Sequence, residues 1–347
     1  FSYRFDEREN TTPQASWNRV ITDWFVAGEV EQNVPYSFER SKIGLSGELV
    51  VWKDLRISAG GERKELKRDF QEVAEQTIDA GWGQARWRPL DWLSVKVKGG
   101  AEERDIDRYD ESVAVSLGQN PLLRKYNLAY RYRSYGELTA SITPADLPLS
   151  FGTTVLYADD RYNKSLLGMT DSEELRTTVD ISVAIAENSS VYLVYGHENI
   201  DALQLGSEQF NVYDWTANHN DRFDHIGAGM RWRQADGKYD IRFDYNRSDG
   251  ETSVELFSLS GGTSRLPDVT STMDSARIEA AYRWNDRVHA TLDLRYEKFE
   301  ADDYALVSAD TIPTVLTLGA QPYDYSVWAL GIGVRYSFGG GDIELAD

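Results

Sequence analysis

The sequence predicts an all-β protein, an antiparallel up-and-down transmembrane β-barrel with about fourteen strands in this chain. Three observations support this fold class. Apolar and polar residues alternate with a period of two along most of the 347 residues. Short turn-forming sequences alternate with longer polar connections. Tryptophans recur beside the short turns, where a membrane barrel carries an interfacial girdle of aromatic residues.

The predicted strands have one apolar and one polar side. In RVHATLDLRYEKF, Leu292 and Leu294 fall on one side of an extended chain, and Asp293 and Arg295 fall on the other. The same alternation is found in DLRISAGGERK, WLSVKVKGG, ELRTTVDISVAIA, KYDIRFDYN, SARIEAAYRW and ALGIGVRYSF. Such strands are expected to turn their apolar side to lipid and their polar side to a lumen.

The connections predict the strand count and the orientation. Six are short: Lys53-Asp54, Pro89-Leu90-Asp91, Pro144 to Pro148, Glu187-Asn188-Ser189, Ala235-Asp236-Gly237 and Asn285-Asp286. The others are mostly long and polar: 9–34, 107–126, 161–171, 203–221, 250–271 and 301–324, with a shorter one near 69–73. Outer-membrane barrels have short periplasmic turns and longer external loops. We therefore predict one barrel domain over 1–338, with both ends periplasmic, and a polar C-terminal tail over 339–347.

Five tryptophans are predicted to form the interfacial aromatic girdle on the side of the short turns: Trp52, Trp87, Trp92, Trp232 and Trp284. Together with the strand pattern, they predict a multi-pass protein of a Gram-negative outer membrane that contacts outer-membrane lipid. A soluble β-sandwich is the alternative, but the polar side of these strands is too charged to form the core of a second sheet.

Composition excludes several function classes. No apolar run approaches the ~20 residues that a membrane helix needs. Cysteine is absent, so the chain has no thiolate metal site and no C-x-x-C-H site for a covalent haem. The net charge of -20 argues against nucleic acid as a partner. We therefore expect no cofactor in this chain, and any redox group would belong to a partner.

No catalytic or metal-binding motif is recognised. The four histidines are not spaced as metal ligands, and no Ser/His or Asp/His pairing can be identified from spacing. The expectation is that the chain is not an enzyme. Acidic pairs such as Asp159-Asp160 and Asp302-Asp303 could bind Ca²⁺ through their carboxylates, but a plain solvated loop is the simpler interpretation because no EF-hand spacing is present.

The predicted lumen side carries charges of both signs. Strand parity selects ten of them as candidates for contact with a partner: Arg176, Asp180, Arg231, Arg242, Asp244, Arg277, Glu279, Asp293, Arg295 and Arg335. Glycines also recur on this side, at Gly60, Gly227, Gly229, Gly331 and Gly333. They indicate either relief of strand curvature or room for an object inside the barrel.

Several segments carry a family resemblance. The stretches 35–49, 68–105, 120–133, 157–209 and 296–338 include PYSFERSKIGLSGEL, NPLLRKYNLAYRYR and LLGMTDS. In this order they resemble the MtrB/PioB family of decahaem-associated outer-membrane proteins, chiefly its C-terminal portion. Two features differ: family members are generally longer, and some carry an N-terminal cysteine pair. The resemblance leaves open whether the chain is a fragment of a larger barrel or a shortened relative.

The resemblance implies a sleeve function. Such a barrel would hold a periplasmic decahaem c-type cytochrome across the outer membrane for extracellular electron transfer, and an outer-surface multihaem cytochrome is a further candidate partner. The cytochrome would supply the haems. Two other functions stay open: a general or solute-specific porin, and a soluble or surface-exposed β protein such as an adhesin.

Overall fold

The computed structural model describes residues 1–20, 27–116, 119–208, 212–303 and 324–338. These residues form eighteen strands and one helix, α1 (Glu111–Ser116). The strands in chain order are β1 (Ser2–Arg8), β2 (Ser16–Val20), β3 (Ala27–Gln32), β4 (Phe38–Trp52), β5 (Leu55–Arg68), β6 (Glu75–Leu90), β7 (Leu93–Ile106), β8 (Leu123–Arg124), β9 (Arg131–Ile142), β10 (Leu149–Arg161), β11 (Leu167–Ala186), β12 (Ser189–Gly206), β13 (Trp215–Arg233), β14 (Tyr239–Ser258), β15 (Gly262–Arg265), β16 (Val269–Asn285), β17 (Val288–Asp302) and β18 (Tyr325–Tyr336).

One sheet of sixteen strands dominates the structure, and fourteen of them form its continuous path. The order is β1-β4-β5-β6-β7-β9-β10-β11-β12-β13-β14-β16-β17-β18, and every pair along this path is antiparallel. β8 and β15 pair with β11 and β14, and β2 pairs with β3 in a separate hairpin. The predicted meander of about fourteen strands is confirmed. Within the described residues, β1 and β18 are the two ends of this path and do not pair with each other.

The predicted alternation of short turns and longer connections is also present, with shifted boundaries. Leu90 pairs with Leu93, so the second turn is Asp91-Trp92 and not Pro89 to Asp91. Asn285 pairs with Val288, which places the last turn at Asp286-Arg287. Gly237 adopts a φ of 66°, the left-handed conformation that favours glycine in a tight turn. We call the strand ends joined by these turns the turn end of the sheet and the opposite ends the loop end.

Several predicted loops contain regular structure, and these predictions were wrong in detail. Segment 250–271 includes the last part of β14 and all of β15, and 203–221 is shortened by β12 and β13. Segment 9–34 contains the β2–β3 hairpin, and 107–126 contains α1 and β8. Most of the predicted loop 301–324 and all of the predicted tail 339–347 lie outside the described residues.

Strand register gives the sheet two chemically different faces, because directly opposed residues point to the same side. One face carries most of the charged strand residues, and we call it the polar face. The other, the apolar face, carries rows of leucine, isoleucine, valine and aromatic residues. Gln76, Arg104, Ala158, Ala217 and Val254 are buried, and all five lie on the polar face. The polar face is therefore the more enclosed side of the sheet.

The apolar face is exposed along its length. Leu193, Ile226 and Leu292 lie on internal strands, yet they are 46%, 43% and 40% exposed. Large apolar patches on a protein surface mark contact with lipid or another protein. Among the described residues, no helix is long and apolar enough to cross a membrane.

Candidate functional site

The polar face contains all ten of the residues that strand parity selected. Register pairs Asp244 with Arg277, Arg277 with Arg295, and Glu279 with Asp293. It also pairs Arg231 with Arg242. Arg176 and Asp180 lie on the same face of β11, and Arg335 lies on it in β18. The predicted common face is present, while a role in partner contact stays a prediction.

Four of these residues form one ion-pair cluster on β16 and β17. Arg277 donates to Asp293 through Nε at 3.1 Å and through an Nη at 2.9 Å, a two-pronged arrangement typical of arginine and carboxylate. Arg295 donates to the same carboxylate at 2.7 Å, and Arg277 also pairs with Glu279 at 2.5 Å. The cluster orients these side chains along the wall, and being solvent-exposed it contributes little stability.

Similar ladders extend across the middle of the sheet, from β9 to β12. Arg176 pairs with Glu198 at 3.0 Å and with Glu174 at 2.6 Å. Arg133 joins Glu174 at 3.0 Å to Asp160 at 2.9 Å. Over these strands the charges of the polar face mostly neutralise one another locally, and the two signs are interspersed.

Four of the ten candidates are not brought into ion pairs. Within the part of the chain that the structure describes, the four without an ion-pair partner are Asp180, Arg242, Asp244 and Arg335. Asp180 instead covers Gly152 of the neighbouring strand, where an added Cβ would lie 2.3 Å from its Oδ1. Asp244 accepts a hydrogen bond of 2.6 Å from the Tyr192 hydroxyl.

A second feature of the polar face was not predicted: four aromatic rings lie over glycines. Each aromatic residue is directly opposite its glycine on the next strand. The pairs are Trp82–Gly60, Tyr135–Gly100, Tyr192–Gly229 and Trp215–Gly206. At each glycine an added Cβ would come within 3.0 Å of the opposite ring. The rings therefore lie along the wall.

This packing bears on the two interpretations of the polar-face glycines, relief of strand curvature or room for an object inside the barrel. At Gly60, Gly227 and Gly229 the space for a side chain is already taken by a neighbouring strand's side chain, and at Gly333 by Thr291. Gly331 is less crowded, with its nearest atom at 3.6 Å. On the apolar face, Gly81, Gly83 and Gly136 have nothing within 4 Å. The crowded glycines accommodate the wall's own cross-strand packing.

The apolar face carries two aromatic bands. Near the turn end lie Trp52, Trp87 and Trp232, with Trp284 packed edge-on against Tyr282 at 6.1 Å and Trp92 in the turn itself. A second band, which the sequence analysis missed, consists of Tyr157, Tyr195, Tyr245, Tyr296 and Trp328. On β17 nine residues run from Val288 to Tyr296, which matches the ~9–11 residues of a membrane-crossing strand. Two girdles around an apolar band are the surface of a transmembrane barrel.

The loop end of the polar face is partly covered by segment 107–130. Val73, Tyr109 and Leu128 form a small core there, with Ile106 packed against it. Arg104 donates to the carbonyl oxygens of Tyr126, Asn127 and Ala129, the last at 2.7 Å. This core explains why the segment folds back onto the sheet.

Charged groups also tie segment 107–130 in place. The buried Glu72 pairs with Lys125, and the Arg124 guanidinium lies 4.4 Å from the centre of the Tyr109 ring. Burial raises the pKa of the Tyr109 hydroxyl. At the start of α1, hydrogen bonds from the hydroxyl and amide of Ser112 lower the pKa of Asp110.

The histidines do not assemble a catalytic group. His225 lies 3.1 Å from the Ser248 hydroxyl on the polar face, whereas His197 pairs with Asp224 at 2.9 Å on the opposite, apolar face. The sheet therefore separates the two pairs. Among the described residues, no group of three or more histidine, cysteine, aspartate or glutamate side chains could hold a metal ion. The acidic pair Asp159-Asp160 is engaged by arginines.

Comparison with known proteins decides the family. Residues 2–338 match the family model described as outer membrane beta-barrel porin, MtrB/PioB. The chain belongs to the MtrB/PioB family. It is also 25% identical over 338 residues to outer membrane protein MtrB of Shewanella baltica (strain OS185), covering 96% of this chain and 48% of that protein. This chain thus spans about half the length of that MtrB relative.

Solved structures similar to this MtrB/PioB chain are also outer-membrane proteins. The ferric citrate transporter FecA aligns with a TM-score of 0.44 at 10% identity, over 86% of this chain and 53% of FecA. OmpT of Vibrio cholerae aligns with a TM-score of 0.34 at 11% identity, over 97% and 99% of the two chains. These scores are too low to support more than the family already does. The family establishes an outer-membrane β-barrel protein of a porin-like class, and that class is not an enzyme class.

Proposed function

We propose that this chain forms the wall of an outer-membrane sleeve that holds a periplasmic multihaem c-type cytochrome for electron transfer across the membrane. The polar face would contact the cytochrome and the apolar face would contact lipid. The chain has no cysteine, so the covalent haems belong to the partner. The protein's contribution is then positioning and exclusion of lipid, while the haems transfer the electrons.

The observation that carries the proposal is the structure of the polar face. Its charges of both signs form cross-strand ladders, such as Arg277 with Asp293, and its aromatic rings lie along the wall over glycines. Away from the turn end, this mixed and locally neutralised charge suits contact with a protein surface. A selective pore would more commonly carry rings of charge of one sign. The resemblance to decahaem-associated proteins supports a cytochrome as that protein.

A visible spectrum and a haem stain of the tagged protein, purified in detergent from its native membrane, test the proposal. The expected result is a Soret absorbance that comigrates with the protein through size exclusion, absent from another tagged barrel of the same membrane. Such a preparation should also conduct few ions in a planar bilayer. A colourless preparation that conducts ions would overturn the sleeve and support a porin, the class named by the family description.

A further inference from the structure

The turn end of the polar face is strongly basic, although the chain as a whole has a net charge of -20. Eight arginines lie on the polar face within about two polar-face positions of the tight turns or of the matching end of β18. We call them the arginine rim: Arg56, Arg86, Arg88, Arg231, Arg233, Arg242, Arg283 and Arg335. The acidic strand residues at the same distance from the turns on the polar face are Glu48 and Asp240. The rim forms two arcs, one on β5 and β6 and one on β13 to β18.

Five of the eight rim arginines have no ion-pair partner among the described residues. Asp240 receives Arg233 at 2.7 Å and Arg231 at 3.4 Å, and Glu48 receives Arg56 at 3.4 Å. The five are Arg86, Arg88, Arg242, Arg283 and Arg335, and of these Arg283 donates a hydrogen bond to the backbone carbonyl oxygen of Asp236 in the turn. Arg231 and Arg242 are directly opposed, a pairing of like charges that destabilises a sheet. Such an arrangement costs stability unless an acidic partner neutralises it.

The rim arginines also line shallow pockets. Arg56, Arg86 and Arg88 join Lys53, Asp54 and Asp91 around one of about 340 Å³. Arg231 and Arg233 line another of about 270 Å³, beside Ser189 and Ser190. Paired guanidinium groups present several N–H donors in a plane, the geometry that binds carboxylates. The pockets therefore offer places for acidic side chains.

The next layer of the polar face has the opposite charge. One polar-face position further from the turns, the charged residues are one lysine, Lys98, and five carboxylates. The carboxylates are Glu137, Asp180, Asp244, Glu279 and Asp293. A free anion attracted by the rim would meet repulsion here. A folded protein can match both layers, with acidic groups at the rim and basic or neutral groups beyond it.

We infer that the arginine rim is a docking surface for a carboxylate-rich patch on the protein held against the polar face. The inference rests on the proposed sleeve function and adds to it the charge of the partner's contacting surface. Because short turns of outer-membrane barrels are periplasmic, the acidic patch would lie at the periplasmic mouth. Docking of this kind weakens as ionic strength rises.

The test replaces the four rim arginines whose side chains have no hydrogen-bond or ion-pair partner among the described residues. In the full-length protein produced in its native outer membrane, Arg86, Arg88, Arg242 and Arg335 are changed together to glutamine. The matched control changes four basic residues near the loop end to glutamine: Arg108, Arg161, Lys164 and Arg265. Haem per barrel is measured by Soret absorbance after affinity purification in detergent, at increasing NaCl. Folding of each variant is checked by its heat-modifiable mobility on gels.

The rim variant is expected to retain roughly tenfold less haem than wild type at moderate salt, since each lost contact at a rim weakens binding only modestly. The control should match wild type. If the folded rim variant retains haem as wild type does, the docking inference is overturned and the sleeve stands. If wild type carries no haem, the sleeve itself fails. An anion-selective current that the rim variant loses would assign the rim to small anions and also overturn the inference.

Discussion

The Trp215 indole lies over Gly206, its directly opposite residue across β12 and β13. A Cβ at Gly206 would be 1.8 Å from Cζ2 of the indole, and the next two nearest atoms also belong to this ring. Glycine is therefore required here by the side chain of the neighbouring strand. The same relationship at three other places makes it a repeated feature of the polar face.

Replacing Gly206 with alanine should displace the indole and lower the free energy of unfolding by about 1–3 kcal/mol. Urea unfolding in detergent, followed by tryptophan fluorescence, measures this. In a Trp215→Ala background the effect of Gly206→Ala should largely disappear, because the clashing ring is gone. Gly83→Ala is the control, since nothing lies within 4 Å of a Cβ there. Equal unfolding midpoints for Gly206→Ala and Gly83→Ala would contradict the packing argument.

A charge on the apolar face should be costly only within the lipid-facing band. Leu193→Arg places a guanidinium on the apolar face of β12, between the levels of the two aromatic bands, and we expect a loss of about 2–4 kcal/mol in stability. Asn199→Arg, on the same face of the same strand but beyond Tyr195, should cost less than about 1 kcal/mol. The yield of folded protein in outer membranes and the urea midpoint report both. A similar loss at the two positions would rule out a membrane boundary near Tyr195.

Segment 107–130 should be released by loss of Arg104. Arg104→Ala leaves the carbonyl groups of Tyr126, Asn127 and Ala129 without their donor in a partly buried setting. We expect trypsin cleavage after Lys125 on intact cells to rise roughly 30- to 100-fold, while the barrel stays folded. Arg108→Ala removes an exposed arginine of the same segment and serves as the control. Unchanged cleavage in Arg104→Ala would show that the segment is held in another way.

The stability of the first turn of α1 should decrease at acidic pH. Hydrogen bonds from Ser112 hold the pKa of Asp110 below its usual value of 3.8. The ionised form therefore stabilises α1 fully above that value, and the contribution is lost as pH falls through the lower pKa of the folded segment. Hydrogen exchange of the α1 amides between pH 2 and 5, corrected for intrinsic rates, should show this loss. In Ser112→Ala the midpoint of this transition should move upward toward pH 3.8. Identical exchange profiles for wild type and Ser112→Ala would contradict the stabilisation of α1 by the Asp110–Ser112 hydrogen bonds.

The strand pattern predicted the fold best where one face meets lipid. Between the aromatic bands, apolar residues such as Leu292 and Leu294 alternate with charged ones, so parity alone separated the two faces and placed all ten candidates together. Beyond Tyr245 and Tyr296 the outward positions are Arg247 and Lys298. With both faces polar, alternation disappears, and the sequence analysis mistook the strand ends for loops.

The arrangement of the candidate site depends on contacts that sequence spacing does not reveal. Trp215 and Gly206 oppose each other only in the actual register of β12 and β13. The core around Val73 joins residues more than fifty positions apart, Val73 and Leu128. The arginine rim could have been recognised earlier, because all of its members except Arg335 lie within about five residues of a predicted turn, but only the register shows that they share a face.

The longest strands have a consequence for the height of the protein. β11 and β14 have 20 residues each, about twice the length that a tilted strand needs to cross the bilayer. At ~3.3 Å per residue and a tilt of ~40°, the surplus ten residues raise the sheet by about 25 Å above the lipid. On this side of the molecule the sheet is therefore roughly twice as tall as the band of its surface that faces lipid.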